Sequence, residues 1–267
     1  MKPTTITQFS TAGLMLLGLC FSQPSWAQFR PETLAQLPAE SSGPGFAGPS
    51  TVIYNAPPLP PGQGAPTGRR DGGASRGNCE AYGDLTALVP LTDGVVWGQT
   101  TTAQPTLWFY LPTAVTPETP LELVVQDAND NFLYTTTLAV DMAAGSLAIA
   151  LPETIELPVD EPHYWTMSVY CDPERPAASV FVQGTIERAA AAEVAPFSAD
   201  TERSLAQAQA YASRGIWYDA LTILGQRLQG GADVESQQAW TALLEQVGLE
   251  AAAAAPVLPC CLAEPTE

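Results

Sequence analysis

The stretch YWTMSVYC, from Tyr164 to Cys171, decides the fold. Its large apolar residues alternate with polar residues and tyrosines at a period of two, the pattern of a β-strand with one buried face. Trp165, Met167 and Val169 share one side with Cys171, and we predict that this side faces the core. Cys171 is therefore expected at the end of a buried strand.

Seven further runs of strand character lie around this one at roughly ten-residue spacing, separated by turn residues. They occupy residues 85–90, 95–101, 106–111, 121–126, 132–138, 146–151 and 179–187. Eight strands are enough for two packed sheets. The sequence therefore predicts a mainly β protein with a smaller α part, in which residues 79–190 form an immunoglobulin-like antiparallel β-sandwich.

From Ser198 the apolar residues recur at spacings of three and four, which predicts helices at about 200–213, 217–229 and 234–247. The first two helices look like a tetratricopeptide hairpin, in which Gly215 is the turn glycine and Trp217 and Ala220 are packing residues. One and a half repeats cannot form a stable solenoid alone. We therefore expect the helical subdomain, residues 198–262, to dock on the β domain.

The N-terminal segment, residues 1–27, predicts an export signal. It has a positive Lys2, an apolar run at 9–21 that is too short for a stable membrane anchor, and small residues before a cleavage point after Ala27. The prediction is a periplasmic or extracellular protein with no membrane span after signal removal. Residues 28–78 are rich in proline and glycine, which predicts a disordered tether.

The charge of the chain excludes polyanionic partners. It has 28 acidic residues against ten basic ones, a formal net charge of −18, and its only lysine is Lys2. Nucleic acid and anionic membrane surfaces would repel such a protein. Arg69, Arg70 and Arg76 lie close together in the predicted tether. They are interpreted either as a solvated, locally acid-paired linker or as contacts to an anionic ligand or partner.

Four cysteines remain after removal of the signal, which contains Cys20. In an oxidising compartment an even number predicts disulfides. A bond between adjacent Cys260 and Cys261 would close a strained ring, so the preferred pairing joins both to Cys79 and Cys171. The alternative, Cys79 with Cys171 plus a redox-labile vicinal pair, stays open. The spacing matches no zinc pattern, and no cofactor is predicted.

The order of the motifs resembles an exported cyanobacterial family known as domain of unknown function 928. The resemblance covers roughly residues 60–261. The matching stretches are Gly68-Arg69-Arg70, Ala74-Ser75-Arg76-Gly77-Asn78-Cys79, Leu85-Thr86-Ala87-Leu88-Val89-Pro90, Pro105-Thr106-Leu107-Trp108-Phe109-Tyr110, Tyr170-Cys171-Asp172-Pro173, Gly215-Ile216-Trp217-Tyr218-Asp219-Ala220-Leu221 and Cys260-Cys261. The resemblance implies a cyanobacterial envelope protein of unknown activity and supplies no catalytic or ligand-binding residues.

Candidate site residues are few. His163 is the only histidine and no G-x-S-x-G elbow is present, so we interpret it as a surface or strand-end histidine and not as a catalytic base. The acidic stretch 127–131 predicts a hairpin turn, because it lacks the glycine and closing acid of a calcium loop. Trp108 and Tyr110 share one side of a strand, as either a sugar-stacking platform or core. The strand is apolar on both faces, which favours a central, buried position.

These observations lead to one preferred function and three alternatives, the last of which is thiol-redox chemistry at the vicinal pair Cys260 and Cys261. The preferred one is a non-enzymatic binding or assembly module of the cell envelope, with an envelope protein or a polysaccharide as its partner. The first alternative is a carbohydrate-binding module that uses exposed Trp108 and Tyr110. The second is a hydrolase with two acidic residues facing each other across a cleft. The sequence does not indicate the oligomeric state.

Overall fold

The computed structural model describes residues 52–60, 68–72, 79–172, 174–175, 177–190, 201–231 and 233–259. The described part is mainly β with a smaller α part, as predicted. The strands are β1 (Thr86–Ala87), β2 (Leu91–Thr92), β3 (Val95–Thr100), β4 (Thr106–Leu111), β5 (Leu121–Gln126), β6 (Phe132–Leu138), β7 (Gly145–Ala150), β8 (Pro162–Tyr170) and β9 (Ser179–Arg188). The helices are α1 (Thr201–Ala212), α2 (Trp217–Gly230), α3 (Val234–Glu245) and α4 (Glu250–Ala253).

The strands form two sheets. The smaller has the order β1-β4-β7 and the larger the order β2-β3-β9-β8-β5-β6. The expectation of purely antiparallel pairing is wrong at one place, because β3 runs parallel to β9. A parallel neighbour needs a long connection, and here most of the β domain lies between the two strands. On β8 the predicted alternation is confirmed, with Trp165, Met167 and Val169 fully buried.

The smaller sheet packs on the larger sheet with one face and on the helices with the other, and α2 also contacts β3 of the larger sheet directly. One face of β4 packs on the larger sheet, where the ring of Phe109 meets that of Trp165 at 5.6 Å. The other face meets the helices, where Trp108 lies 5.5 Å from Trp240 of α3. This central position explains why β4 is apolar on both sides. Sheets and helices share one hydrophobic core, so the helices dock on the β domain as expected.

Helix α2 makes the main contacts between helices and sheets. The indole N–H of Trp217 donates to the Leu88 carbonyl at 2.7 Å, and Trp165 donates to the Tyr218 hydroxyl at 3.0 Å. Gly98 of β3 allows this close approach, since a Cβ there would lie 2.9 Å from the Tyr218 ring. Among the described helices, none is long and apolar enough to cross a membrane.

Cys79 and Cys171 form a disulfide with each other. The preferred pairing of these cysteines with Cys260 and Cys261 is therefore wrong, and the alternative bond between Cys79 and Cys171 is the one observed. Cys171 extends from the end of β8, and Cys79 is buried. Chain folding brings the two Cα atoms to 5.4 Å, inside the normal range for a disulfide. Cys260 and Cys261 lie outside the described residues.

The prediction of a disordered tether over 28–78 is wrong for two described segments. Residues 52–60 lie along the helices, where Val52 is fully buried and the Asn55 N–H donates to the Ala212 carbonyl at 3.0 Å. Residues 68–72 join the two sheets, because Arg69 pairs with Gln183 of β9 and Asp71 with Thr86 of β1. Proline and glycine here favour extended chain, which docks on existing elements instead of folding alone.

Candidate functional site

A cavity of about 250 Å³ lies at the seam between the sheets and the helices. We call it the seam cavity. The end of β3 and the start of β4 form one wall, and α1 and α2 form the other. Its polar lining is made of hydroxyl and amide side chains with one carboxylate, from Thr100, Thr102, Gln104, Thr106, Gln207, Tyr211, Tyr218, Asp219, Thr222 and Gln226.

The carboxylate of Asp219 accepts four hydrogen bonds at the floor of this cavity. Its Oδ2 accepts from the Thr100 hydroxyl at 2.6 Å and from the Thr101 N–H at 3.1 Å. Its Oδ1 accepts from the hydroxyls of Thr101 at 2.7 Å and Thr102 at 3.2 Å. Two bonds to each oxygen fill the acceptor capacity of the carboxylate. Asp219 therefore joins α2 to the end of β3 and has little capacity left for a ligand.

Local sequence explains why each of these polar groups lies at its place in α2 or after β3. Asp219 lies in the first turn of α2, where the helix dipole favours a negative charge. Three consecutive threonines, Thr100 to Thr102, end β3 and turn the chain towards α2. Their hydroxyls need acceptors once the helix covers them, and Asp219 supplies these. The residues are 117 to 119 positions apart in sequence, so only the tertiary fold brings them together.

Two tyrosines that contact α2 or lie within it, the half-buried Tyr54 and the buried Tyr218, keep their protons. Burial strongly raises the pKa of Tyr218, although the hydrogen bond from Trp165 opposes the shift. Burial also raises the pKa of Tyr54, whose ring meets Trp217 at 4.9 Å. Both hydroxyls therefore stay neutral at physiological pH. They position α2 and the segment 52–60, and they do not act as proton acceptors.

The aromatic residues proposed for sugar stacking do not form an exposed row. Trp108 is 1% exposed and donates its indole N–H to the Thr222 hydroxyl at 3.1 Å. Tyr110 is half-buried on the same strand. Trp108 therefore belongs to the core and offers no stacking surface, whereas Tyr110 is only half-buried. Trp108 is buried because the helices cover β4 on the side away from the larger sheet.

The arginines of the segment 68–72 are engaged within the chain. Arg70 donates to the carbonyl of Val247 at 2.7 Å, and its Nε lies 3.7 Å from a carboxylate oxygen of Asp71. The guanidinium of Arg69 lies 5.1 Å from the centre of the Phe181 ring. Arg70 therefore binds the loop after α3 and its neighbouring acid, which matches the acid-paired interpretation. Arg76 lies outside the described residues.

The remaining sequence candidates have structural roles. His163 lies at the start of β8, which is the strand-end position of the predicted pair of alternatives, and it is buried at 1% exposure instead of lying at the surface. Burial lowers its pKa, opposed by the hydrogen bond to Glu161. Asp127 closes the predicted turn by accepting from the N–H groups of Asn129 and Asn131. Within the described residues, no group of three or more His, Cys, Asp or Glu is arranged to hold a metal.

The comparison with protein families agrees with this architecture. A family model described as Domain of Unknown Function (DUF928) matches residues 71–257. The chain belongs to this family. No curated protein and no solved structure matches the chain. The DUF928 match begins at Asp71 and ends at Val257, so it contains both sheets, the four described helices and the whole seam cavity, but not the segment 52–60 or Cys260 and Cys261.

Sequence reasoning missed the seam cavity because its residues look ordinary one at a time. Thr100, Thr102 and Gln226 are unremarkable polar positions in a strand end and a helix. Asp219 lies within the DUF928 stretch Gly215 to Leu221, but the sequence pattern does not mark it as a site residue. A carboxylate between a tryptophan, a tyrosine and an alanine in a buried helix turn is an unusual choice. An acidic residue among neighbours that are expected to be buried was the one sequence feature that could have indicated Asp219.

Proposed function

We propose that this DUF928 protein is a non-enzymatic binding module of the cell envelope that takes a small neutral polar ligand in the seam cavity. The observation that supports the proposal is the lining of the cavity, in which hydroxyl and amide side chains surround a carboxylate whose acceptors are filled. Concave sites with a few convergent polar groups are the usual sites for small ligands.

The chemistry of the lining favours an uncharged ligand. Hydroxyl and amide groups such as those of Tyr211 and Gln226 both donate and accept hydrogen bonds. Among the described residues that line the cavity, Asp219 is the only charged one, so no cation is available to bind an anion. The volume of about 250 Å³ lies below the roughly 300–1,000 Å³ of drug-sized sites. One sugar ring or one amide-bearing side chain of an envelope polymer or protein is the size that fits.

The same groups argue against the hydrolase alternative at this place. Acid catalysis by paired carboxylates needs two of them facing a shared substrate at about 5–10 Å, and the described lining provides one. Asp219 already accepts four hydrogen bonds, and Tyr218 is held neutral by burial. Tyr218 is therefore not suited to accept a proton from a substrate.

The proposal includes the finer architecture and the location of the protein. In this proposal an immunoglobulin-like sandwich carries a tetratricopeptide-like helical hairpin. Two observations support the hairpin: the φ of +80° at Gly215 suits the turn between the helices, and Ala220 and Leu224 are fully buried. Export through residues 1–27 is supported by the disulfide between Cys79 and Cys171, because disulfides persist in oxidising compartments.

The proposal is tested by titrating the isotope-labelled protein with glucose, N-acetylglucosamine and acetamide, each up to about 10 mM to detect millimolar affinity. We expect at least one probe to shift the side-chain amide signals of Gln104 and Gln226. Gln226→Ala removes an exposed amide at the rim and Tyr211→Phe removes one hydroxyl, so each should weaken binding at least fivefold.

Gln238→Ala is the matched control, because Gln238 is an exposed helical glutamine on α3 outside the cavity lining. Its affinity should equal that of the wild type. If none of the three probes shifts the Gln104 and Gln226 signals, or if the cavity variants bind as well as Gln238→Ala, the proposal is wrong.

A further inference from the structure

A second polar cavity lies at the outer face of the larger sheet, and Trp165 of the core is part of its lining. It has a volume of about 210 Å³. We call it the outer-sheet cavity. Its lining includes Gly68, Gln126, Tyr164, Thr166, Gln183 and Thr185. The alternation of β8 places Tyr164 and Thr166 on the side opposite the buried Trp165 and Met167, so these side chains belong to the sheet's outer face.

Strand register brings the lining residues into two adjacent rows. Tyr164 of β8 pairs with Gln126 of β5 on one side and with Thr185 of β9 on the other. Thr166 pairs with Gln183 in the next outward row. Residues paired across neighbouring strands project on the same face at about 4.5–5.5 Å. Three strands thus present hydroxyl and amide groups and one aromatic ring to a common space.

Thr185 is the feature that indicates a ligand. It is 1% exposed, it lines the cavity, and its hydroxyl has no hydrogen-bond partner among the described residues. The indole N–H of Trp97, which pairs with Thr185 in register on β3, also has no partner among the described residues, although Trp97 does not line the cavity. Buried polar groups in native proteins are nearly always satisfied. A hydroxyl left open inside a polar cavity is therefore a place where another molecule binds.

The segment 68–72 forms the edge of the cavity. Arg69 exchanges two backbone hydrogen bonds with Gln183, at 2.7 Å and 2.8 Å, and so extends the sheet beside β9. Gly68 has a φ of +89°, and a Cβ there would lie 2.8 Å from the Gln183 carbonyl oxygen. Glycine thus lets the chain turn close against β9 at this point. The backbone of Gly68 and Arg69 thus forms the wall of the cavity beside β9.

The chemistry of the lining selects the class of ligand. Among its described residues none is charged, and the whole chain has a net charge of −18, so anionic ligands are disfavoured. Threonine and glutamine side chains match vicinal hydroxyls, which both donate and accept, and Tyr164 offers ring surface for an apolar sugar face. The volume suits one ring, and the open sheet face leaves room for the rest of a chain.

Further aromatic side chains continue this face along the same strands. Tyr170 lies six residues from Tyr164 on β8, roughly 20 Å away in an extended strand. Phe181 lies on β9 beside Ser168, and the guanidinium of Arg69 lies 5.1 Å from the centre of its ring. Both rings are half-buried. We propose that the outer face of β8 and β9 binds a neutral glycan, with one sugar unit in the outer-sheet cavity hydrogen-bonded to Thr185 and Gln183.

This inference does not depend on the seam cavity. A protein with both sites would bind two envelope components at once and hold them together, because linked sites raise the effective concentration of the second partner. The two sites use different residues, so variants of one leave the other intact. Failure of either can therefore be recognised separately.

The test is calorimetric titration of the full chain without its first 27 residues, using short oligosaccharides of glucose, mannose and N-acetylglucosamine, with oligogalacturonate as the acidic counterpart. We expect a neutral oligosaccharide to bind and the acidic one not to bind. Thr185→Val removes only the hydroxyl and Gln183→Ala removes the amide, and each should weaken binding at least tenfold.

Thr135→Val is the matched control, because Thr135 is an exposed threonine of β6 outside the cavity. It should bind as the wild type does. Thr185→Val should leave the melting temperature unchanged or raise it, since it removes an unsatisfied buried group. Absence of binding by all neutral oligosaccharides, tighter binding of the acidic one, or full affinity in Thr185→Val would each overturn the inference, as would a lower melting temperature of Thr185→Val together with unchanged affinity.

Discussion

Replacing Gly225 with alanine should destabilise this protein, although alanine is the better helix former. Gly225 lies inside α2 and is buried against the indole of Trp108. A Cβ there would lie 2.9 Å from Cζ3 of that ring and closer still to Cη2 and Cζ2. Carbon atoms in contact need about 3.5–4.0 Å, so the ring or the helix has to move by about an ångström.

The ring has little freedom to move. Trp108 is 1% exposed, its indole N–H is bonded to Thr222 at 3.1 Å, and its ring meets Trp240 at 5.5 Å. Overpacking a core costs about 1–3 kcal/mol, and loss of the hydrogen bond adds about 1 kcal/mol. The gain in helix propensity from glycine to alanine is at most about 1 kcal/mol. We therefore expect Gly225→Ala to lower the free energy of unfolding by about 2 kcal/mol.

Gly230→Ala is the matched control. Gly230 ends the same helix, and a Cβ there has no atom within 4 Å, so this variant should be neutral or more stable by up to about 1 kcal/mol. Urea unfolding followed by tryptophan fluorescence measures both. In a Trp108→Phe background, which lacks the colliding ring atoms, the cost of Gly225→Ala should shrink. Equal stability of Gly225→Ala and Gly230→Ala would refute the packing of α2 against Trp108.

Two further predictions concern covalent and ionic stability. Replacing both Cys79 and Cys171 with serine should lower the free energy of unfolding by up to about 4.6 kcal/mol. This is the chain-entropy value for a disulfide that joins residues 92 positions apart. An unchanged midpoint of urea unfolding would contradict the prediction. Burial lowers the pKa of His163 below its usual 6.5, so on acidification the unfolded chain binds a proton at this residue before the folded chain does. The stability that His163 contributes is therefore complete above pH 6.5. It is lost as the pH falls from 6.5 towards the folded-state pKa. His163→Gln should flatten the fall in stability between about pH 7 and pH 5.5 in unfolding titrations, and an identical pH profile would argue against this role.

Elements whose pattern is local were predicted well. The alternation at 164–171 became β8, and the buried faces at Trp165 and Met167 follow from the period of two. The predicted helices at 217–229 and 234–247 correspond to α2 and α3, while the four-residue α4 at Glu250–Ala253 was missed. A single helical turn carries too few residues to show a period.

Features that join distant parts of the chain were missed. The parallel pairing of β3 with β9 is not visible in either strand, since both types of pairing use the same extended residues. The pairing of Cys79 with Cys171 was one of two open alternatives, because cysteine spacing does not define connectivity. The docked segment 52–60 was mistaken for tether, since it has no periodicity of its own and is held by contacts to α1 and Gln246.

The sequence by itself determined which residues alternate and which recur at helical spacing, the charge balance, the predicted export signal and the DUF928 membership. Alternation and helical spacing depend on neighbours a few positions apart, whereas the charge balance and the family match depend on the composition of the chain and the order of its motifs. Only the tertiary structure decided that Asp219 meets the threonines 100–102, that Trp108 is covered by α2, and that the Thr185 hydroxyl is enclosed without a described partner. The physical reason is that the burial of a side chain and the hydrogen bonds of a polar group depend on residues that are distant in the sequence and are brought to it only by the complete fold.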